Sequence, residues 1–316
     1  MNIFITGESG TIPQQLISQA KKLGHTIVNE LIDDNVKKHQ SFKIRKPELD
    51  FTDRKLLFSL NKFWEQTDII IHSGAFVGTD YCDANPEETI LTNVQGTKNI
   101  VDICNMYGIK LIYYSTTAIF DPKDYSREKL ITEQTKKNPQ TLYGITKYAG
   151  EMIVEKECKQ DFSIVRPVFG FGNFPDDLHS ALTKLVYNYY NGCNLNILLD
   201  KNIQKTYTRV ENIACMTLNL IKLNKWNEDY NIGDKYQNSC DWYQYIEMIE
   251  DKFEMLGCDV IQSVNWFAEK DYLHWHQIST IKSERDKIWE CPISLTDGLD
   301  MTIKSVIESN IKPYWI

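Results

Sequence analysis

Tyr143 and Lys147 stand four residues apart in Tyr143-Gly-Ile-Thr-Lys147, the spacing at which two side chains leave one face of a helix. An ammonium beside a phenol favours the phenolate and draws its pKa down from about 10 towards neutrality. Tyr143 would then give or take the proton of a carbinol–carbonyl pair. Upstream, Tyr114-Ser-Thr-Thr-Ala-Ile-Phe120 ends a run that reads as a buried strand, so its hydroxyls emerge at the carboxyl edge of a sheet. Ligands bind at that edge in open α/β folds, and Thr116 is placed there to hydrogen-bond the reacting oxygen. A tyrosine and a lysine four apart also occur on helices with no such role, so the pair gains its meaning from the strand. Thr6-Gly-Glu-Ser-Gly10 lies between a first strand and a first helix, where free N–H groups and the helix dipole would seat a pyrophosphate. Gly7 and Gly10 match the first two positions of a G-x-x-G-x-x-G loop, and Pro13 takes the third, fixing φ at a helix start. An ordinary tight βα turn would use the same residues.

The elements that must position these groups follow from periodicity. Met1–Thr6 reads as a strand, Gln14–Lys22 as a helix closed by Gly24, and His25–Leu31 as a second strand. Lys55–Trp64 is helical, Asp68–His72 a buried strand, and Glu87–Tyr107 a long helix. Lys110–Ser115, the helix Thr141–Glu157 and the strand Phe162–Arg166 complete the series. Short β-branched runs alternating with amphipathic stretches predict an α/β protein with a doubly wound parallel sheet. After Pro167 the regularity fades and Trp and Tyr become more frequent, which predicts a dinucleotide-binding domain over 1–167 and a smaller mixed substrate-binding portion over 168–316, interleaved with the first.

Composition removes several functions. The 316 residues carry 35 Lys and Arg against 43 Asp and Glu, a net charge of −8, leaving no excess of positive charge for a phosphate backbone. Nucleic acid is not an expected partner. No apolar run approaches the roughly 20 residues that span a bilayer, so no membrane partner is expected either. Eight scattered cysteines without a C-x-x-C pair, and no segment resembling a signal peptide before the first strand, predict a reducing cytoplasm and no structural zinc. His274 and His276 flank Trp275 without an acidic or Cys companion at metal spacing, so no metal is assigned. His72 reads as a packing residue. Tyr187, Tyr189, Tyr190, Tyr243 and Tyr245 could stack on a base or a sugar, and packing explains them equally well.

Further pieces occur in order: Leu49-Asp-Phe-Thr-Asp53, His72-Ser-Gly-Ala75, Asn93-Val-Gln-Gly-Thr97, Arg166-Pro167, Tyr207-Thr-Arg-Val-Glu-Asn212 and Tyr230-Asn-Ile-Gly233. With the glycine loop, the hydroxyl strand and Y-x-x-x-K, they make the chain through about residue 235 resemble the extended short-chain dehydrogenase/reductases that act on nucleotide sugars. The resemblance implies a Rossmann domain. It implies a nicotinamide dinucleotide contacted by Gly7, Ser9, Gly10, Thr11 and Ile12, bordered at the adenine by Asp50 and Phe51, and lined by Ser73, Gly74, Ala75 and Asn93. It gives the chemistry to Thr116, Tyr143 and Lys147, with Lys147 also reaching the nicotinamide ribose. Substrate contacts are implied at Thr117, at Asn173 and His179, and at Lys205, the cation placed to meet the diphosphate; a lysine is a point charge where an arginine would be a fork. The helices Glu87–Tyr107 and Thr141–Glu157 pair across a twofold in this family, which implies a homodimer.

Departures from the family choose the reaction. Its dehydratases carry Asp-Glu directly after the active-site Thr, where this chain has Thr117-Ala118. Its bifunctional epimerase/reductases place a Cys in this loop and a His downstream; Ala118 falls at the Cys and cannot move a proton, although His179 remains. The resemblance then implies an oxidoreductase that reduces a nucleotide-linked 4-keto sugar, such as a GDP- or dTDP-linked 4-keto-6-deoxyhexose or heptose, at C4 by hydride transfer from NAD(P)H. The alternatives are an NAD-dependent nucleotide-sugar 4-epimerase and a non-catalytic dinucleotide-binding scaffold. For the cofactor, Glu30, Asp33 and Asp34 lie near the place of a carboxylate that would hold a ribose 2′-hydroxyl. Lys43-Ile-Arg-Lys46, with Arg45, would clasp a 2′-phosphate or be a solvated basic loop. Glu8 argues against the extra phosphate. The reading leans to NADP(H), with NAD(H) as the alternative.

Overall fold

A computed structural model describes residues 1–38, 48–121, 130–173, 175–177, 180–193, 195–198, 204–258, 264–267, 278–290 and 292–309; Arg45 and His179 lie outside them. In chain order the elements are β1 (Asn2–Thr6), α1 (Thr11–Lys22), β2 (Thr26–Ile27), β3 (Lys37–Lys38), β4 (Glu48–Leu49), α2 (Arg54–Ser59), α3 (Asn61–Trp64), β5 (Ile69–His72), α4 (Thr79–Ala84), α5 (Pro86–Ile90), α6 (Thr97–Tyr107), β6 (Lys110–Tyr114), α7 (Leu142–Glu157) and β7 (Phe162–Pro167). There follow β8 (Gly170–Phe171), α8 (Ala181–Tyr190), β9 (Leu195–Leu198), β10 (Thr208–Arg209), α9 (Val210–Lys222), β11 (Glu228–Ile232), α10 (Trp242–Met255), β12 (Val264–Phe267), α11 (Ile281–Arg285) and α12 (Leu295–Glu308).

The chain divides into two compact units, Met1–Asp121 with Glu133–Pro167 and Ala214–Ile232, and Pro122–Thr132 with Val168–Ile213 and Gly233–Ile316. The first is built on a six-stranded parallel sheet in the order β11-β7-β6-β5-β1-β2. Strands covered on both faces must be apolar almost throughout, and Ile3, Phe4, Ile5, Ile69, Ile70, Ile71, Leu111 and Ile112 are all buried. Phe4 fixes the helical layer on one face by edge contacts with Phe63 and Trp64, at 5.5 and 5.3 Å between centroids. In the second unit β8 pairs with β10 and β9 with β12, and α8, α10 and α12 pack about Phe171, Tyr189, Tyr245 and Phe253.

The elements differ from the periodicity at four places. The first helix begins at Thr11 instead of Gln14, because Pro13 in its first turn gives up an N–H that has no intrahelical partner there. The expected helix over 55–64 breaks at Leu60 into α2 and α3. The expected helix over 87–107 carries a π turn at Leu91–Gly96, where Thr97 Oγ1 donates to Asn93 O at 2.7 Å and loosens the regular ladder. The expected second strand stops at Ile27 and continues as a 3₁₀ turn, Val28–Leu31.

Asn29 explains that last difference. Its buried amide stands in for a strand: Ile5 N–H donates to Asn29 Oδ1 at 2.9 Å, and Asn29 Nδ2 donates to Ile5 O at 2.6 Å. One side chain thus continues the β1 ladder after the backbone of β2 has turned away. Asn29→Ala leaves both Ile5 groups unpaired in the interior and is expected to lower the unfolding free energy by about 2–4 kcal/mol. Urea titration checks this; a loss below about 1 kcal/mol would show that the amide is not what holds the sheet edge.

Candidate active site

Helix α7 carries Tyr143 and Lys147, and two glycines let it approach the strand end. Thr141 caps the helix, accepting the Gly144 N–H at 3.1 Å. A Cβ on Gly144 would stand 2.3 Å from Ala118 O, so the first turn of α7 closes on the turn Thr117–Ile119 because residue 144 has no side chain. A Cβ on Gly150 would stand 2.0 Å from the Tyr113 Oη, which lets the middle of α7 lie on β6. In this way Thr116, just after β6, comes beside the Tyr143 phenol, its hydroxyl oxygen accepting the Ala118 N–H at 3.2 Å. Lys147, 2% exposed, places Nζ 4.4 Å from the centre of the Tyr113 ring. Thr116, Tyr143 and Lys147 are therefore brought together at the carboxyl edge of the sheet, with Thr117 buried in the next turn.

Burial decides the charges. It pushes Tyr143 up to about 12, against the opposing hydrogen bond from Thr116. This corrects the expectation of a phenol drawn towards neutrality: the sequence shows the ammonium but not the desolvation, and desolvation wins. Burial also brings Lys147 down to about 7, opposed by the charge of Glu151 one turn further along α7. Burial disfavours the Glu151 carboxylate too, yet Arg166 and Lys137 hold it below the usual carboxylate range. Arg166 donates to both its oxygens, at 2.7 and 2.9 Å, and Lys137 Nζ lies 2.7 Å away. Arg166 also meets Asp229 at 2.7 Å.

The residues assigned to a dinucleotide cluster at the ends of β1 and β5. Gly7 has φ +69°, and a Cβ there would stand 2.7 Å from the Cα of Gly74, so the two loops pass in contact. Ser73 Oγ donates to Thr6 O at 2.7 Å, and Gly74 N–H to Thr6 Oγ1 at 2.8 Å. Below them Thr6 Oγ1 meets His72 Nδ1 at 2.8 Å, and His72 Nε2 meets Thr97 Oγ1 at 3.1 Å. Thr97 spends its hydrogen on Asn93 O, so Nε2 carries the imidazole hydrogen and Nδ1 accepts from Thr6. Burial, then the charge of Lys147, lowers His72 to about 3, and the ring is neutral. His72 thus locks both loops.

Other assigned residues sit differently. Asn93 is 1% exposed, and its amide closes on Phe76 N–H and O, at 2.8 and 3.0 Å, and on the Thr146 hydroxyl at 3.1 Å. It ties the loop after β5 to α7. The Phe51 ring is 2% exposed, 5.1 Å from His72 and packed under Gly74 and Gly96. It forms a floor beneath the two glycines, and Asp50 beside it accepts the Thr52 N–H and hydroxyl at 2.9 and 2.6 Å. Ser9 N–H donates to Glu48 Oε1 at 2.7 Å, and Gly10 N–H to Gly7 O at 2.9 Å. Helix α1 starts at Thr11 and Ile12 with no side-chain cap from Gly10. A loop glycine at which a Cβ is excluded, Gly7, and a tightly packed Gly10 at an uncapped helix start suit the pyrophosphate of a dinucleotide.

In the second unit Lys205 is 8% exposed and joined by its backbone to Cys240, with Nζ 5.1 Å from the Trp242 ring and 5.6 Å from Phe169. Burial lowers it to about 8, and no carboxylate pairs with it among the described residues. Asn173 Oδ1 accepts from Arg209 Nη1 at 3.1 Å. Sequence reasoning passed over Glu48, Glu151 and Gly144. Only Gly144, following the tyrosine directly, carried a local signal; the two carboxylates act through contacts distant in sequence or buried by the fold.

Comparisons with known proteins bear on this geometry. The protein of Haloferax volcanii named "Probable low-salt glycan biosynthesis reductase" is 25% identical over 230 residues, 70% of this chain and 71% of that one. The dTDP-4-dehydrorhamnose reductase of Mycolicibacterium smegmatis is 26% identical over 207 residues, 65% of this chain and 56% of its own length, so the chain spans little more than half of that relative. Among solved structures, the UDP-glucose 4-epimerase of Thermus thermophilus in complex with NAD superposes with a TM-score of 0.78 at 14% identity, covering 98% of this chain and 100% of that one. A dTDP-4-dehydrorhamnose reductase from Clostridium acetobutylicum gives 0.72 at 21% identity, covering 96% and 99%. These likenesses establish the Rossmann-type fold. The RmlD substrate binding domain model matches residues 1–274, and the chain belongs to that family, one of the extended short-chain dehydrogenase/reductases.

Proposed function

We propose that this protein reduces the C4 carbonyl of a nucleotide-linked 4-keto sugar. The observation that carries the reading is the placement of the Thr116 hydroxyl beside a buried Tyr143 phenol that burial keeps protonated, with Lys147 one turn on. A protonated phenol is the form that gives a proton, which is what reduction of a carbonyl requires. A nicotinamide dinucleotide held by Gly7, Gly10, Thr11, Ile12, Ser73, Gly74 and Ala75 would supply the hydride. The Thr116 hydroxyl orients the carbonyl oxygen, and Tyr143 delivers its proton to it. The phenolate left behind is stabilised by Lys147, whose own proton is exchangeable near neutral pH. Ala118 offers no second acid or base beside the site, which favours reduction over epimerisation next to the carbonyl. Lys205 is the cation for the substrate diphosphate, and Thr117, Asn173 and His179 complete the substrate contacts. The relatives named as reductases support the reaction class. A cytoplasmic homodimer belongs to the same reading.

Tyr143→Phe is expected to lower turnover of a nucleotide-linked 4-keto sugar at least about a hundredfold while its binding changes little. Oxidation of reduced nicotinamide at 340 nm and calorimetric titration measure the two; unchanged turnover would overturn the assignment.

Lys147 carries a stability cost that can be measured separately. It titrates at about 7 in the folded chain against 10.5 for a free lysine. Between those values the unfolded chain binds a proton that the folded chain does not, so this residue makes stability rise with pH, and below about 7 its full cost remains. Lys147→Met is expected to abolish turnover yet raise the unfolding free energy at neutral pH by about 1–3 kcal/mol, and to flatten its pH dependence between 7 and 10.5. Denaturant titrations at several pH values check this, and a variant less stable than the parent at pH 7 would refute the cost.

A further inference from the structure

Glu48 is a buried carboxylate, 4% exposed, that the chemistry above does not use. It reaches the glycine loop from β4. Its Oε1 accepts the Ser9 N–H at 2.7 Å, with the Ser9 side chain and the Glu8 backbone close beside it. No lysine or arginine pairs with it among the described residues. The loop thus commits a backbone donor to a carboxyl group of the protein's own. The acidic residues that the sequence offers for a ribose are engaged elsewhere: Glu30 with Lys21 at 2.5 Å, Asp33 as the cap of the turn Asp34–Val36, and Asp34 with Lys37 at 2.9 Å. With β2 ending at Ile27, no carboxylate among the described residues stands at the tip of the second strand, the usual place for one that meets a ribose hydroxyl.

The sheet order sets the direction of a bound dinucleotide, and the inference rests on the dinucleotide site proposed above. Beside β1 lie β5 and then β6, with Thr116, Tyr143 and Lys147 beyond; on its other side lies β2, leading towards β4. A dinucleotide with its nicotinamide at Tyr143 and its pyrophosphate on the first turn of α1 turns its adenosine ribose to the β2 side, where Glu48 meets Glu8 and Ser9. A free 2′-hydroxyl there has a hydrogen to give a carboxylate. A 2′-phosphate brings one to two negative charges against it in a desolvated place. We propose that Glu48 selects the cofactor, accepting the hydroxyls of an unphosphorylated adenosine ribose and opposing a 2′-phosphate, so that the protein uses NADH in preference to NADPH. The lean to NADP(H) came from Lys43–Lys46, which lie outside the described residues.

The test is the pair of dissociation constants for NADH and NADPH, read by nicotinamide fluorescence on the full-length chain and on Glu48→Gln, with a thermal melt to confirm folding. The parent is expected to bind NADH at least about tenfold more tightly than NADPH, and E48Q to narrow that ratio about tenfold, mostly by gaining NADPH affinity. A parent that binds NADPH as well as NADH or better overturns the proposal, as does an unchanged ratio in E48Q. The parent ratio needs no substitution, so it decides the selectivity even if E48Q does not fold. Binding of neither dinucleotide would remove the underlying site together with its selectivity, which separates that failure from a failure of Glu48 alone.

Discussion

The arrangement depends on burying a lysine ammonium at the edge of a parallel sheet without giving it a carboxylate to touch. Lys147 has no ion pair among the described residues, and its nearest compensation is the face of Tyr113 and the charge of Glu151 one turn away. Direct contact with Glu151 would secure the ammonium and end its ability to exchange a proton near neutrality. Arg166 prevents this by taking both oxygens of Glu151, while Lys137 takes what remains. Lys147 is then left between charge states, which is costly for folding and useful for moving protons.

Such a group can be held only where the surrounding polar atoms are already satisfied, because a low dielectric penalises every unpaired one. The run from Gly74 N–H through Thr6, His72 and Thr97 to Asn93 O meets this condition: each hydroxyl both donates and accepts, Nδ1 of the imidazole accepts and Nε2 donates. The same run joins the β1 loop, the β5 loop and the π turn before α6. Polar satisfaction and loop placement are therefore one requirement, and a neutral imidazole serves it where a charged one would add a second buried cation beside Lys147.

What the sequence revealed was what local spacing encodes. The tyrosine and lysine four apart, the hydroxyls after Tyr114 and the glycines after Thr6 are set by helix pitch, strand alternation and turn sterics, and the structure brings Thr116, Tyr143 and Lys147 together as that spacing requires. The second strand was misread because Thr26, Ile27 and Val28 have the composition of a strand, while the amide of Asn29 replaces its backbone through a contact 24 residues away. The sign of the Tyr143 shift was hidden because desolvation belongs to the folded interior and leaves no trace in the spacing of charges. Glu48 meets Ser9 across 39 residues of chain, and nothing beside either residue announces the contact.

Comparison of Lys205 and Arg209, the buried cations after Pro167 among the described residues, shows how differently their charges are met. Arg209 is buried but fully engaged: Glu211 takes two of its nitrogens, at 2.8 and 2.5 Å, and Asn173 and Thr302 share a third, each at 3.1 Å. Its charge is neutralised inside the second unit, and removing a partner would leave an uncompensated ion. Lys205, four residues earlier, is almost as buried, yet it faces aromatic rings at 5.1 and 5.6 Å and no carboxylate among the described residues. Ring faces recover part of the lost hydration of an ammonium but supply no counter-charge. An arginine fork would find partners within the fold, as Arg209 does; a lysine between rings keeps one localised charge whose remaining demand is for an anion. That difference in compensation, rather than the presence of a cation as such, supports the proposal that a diphosphate meets Lys205 in preference to Arg209.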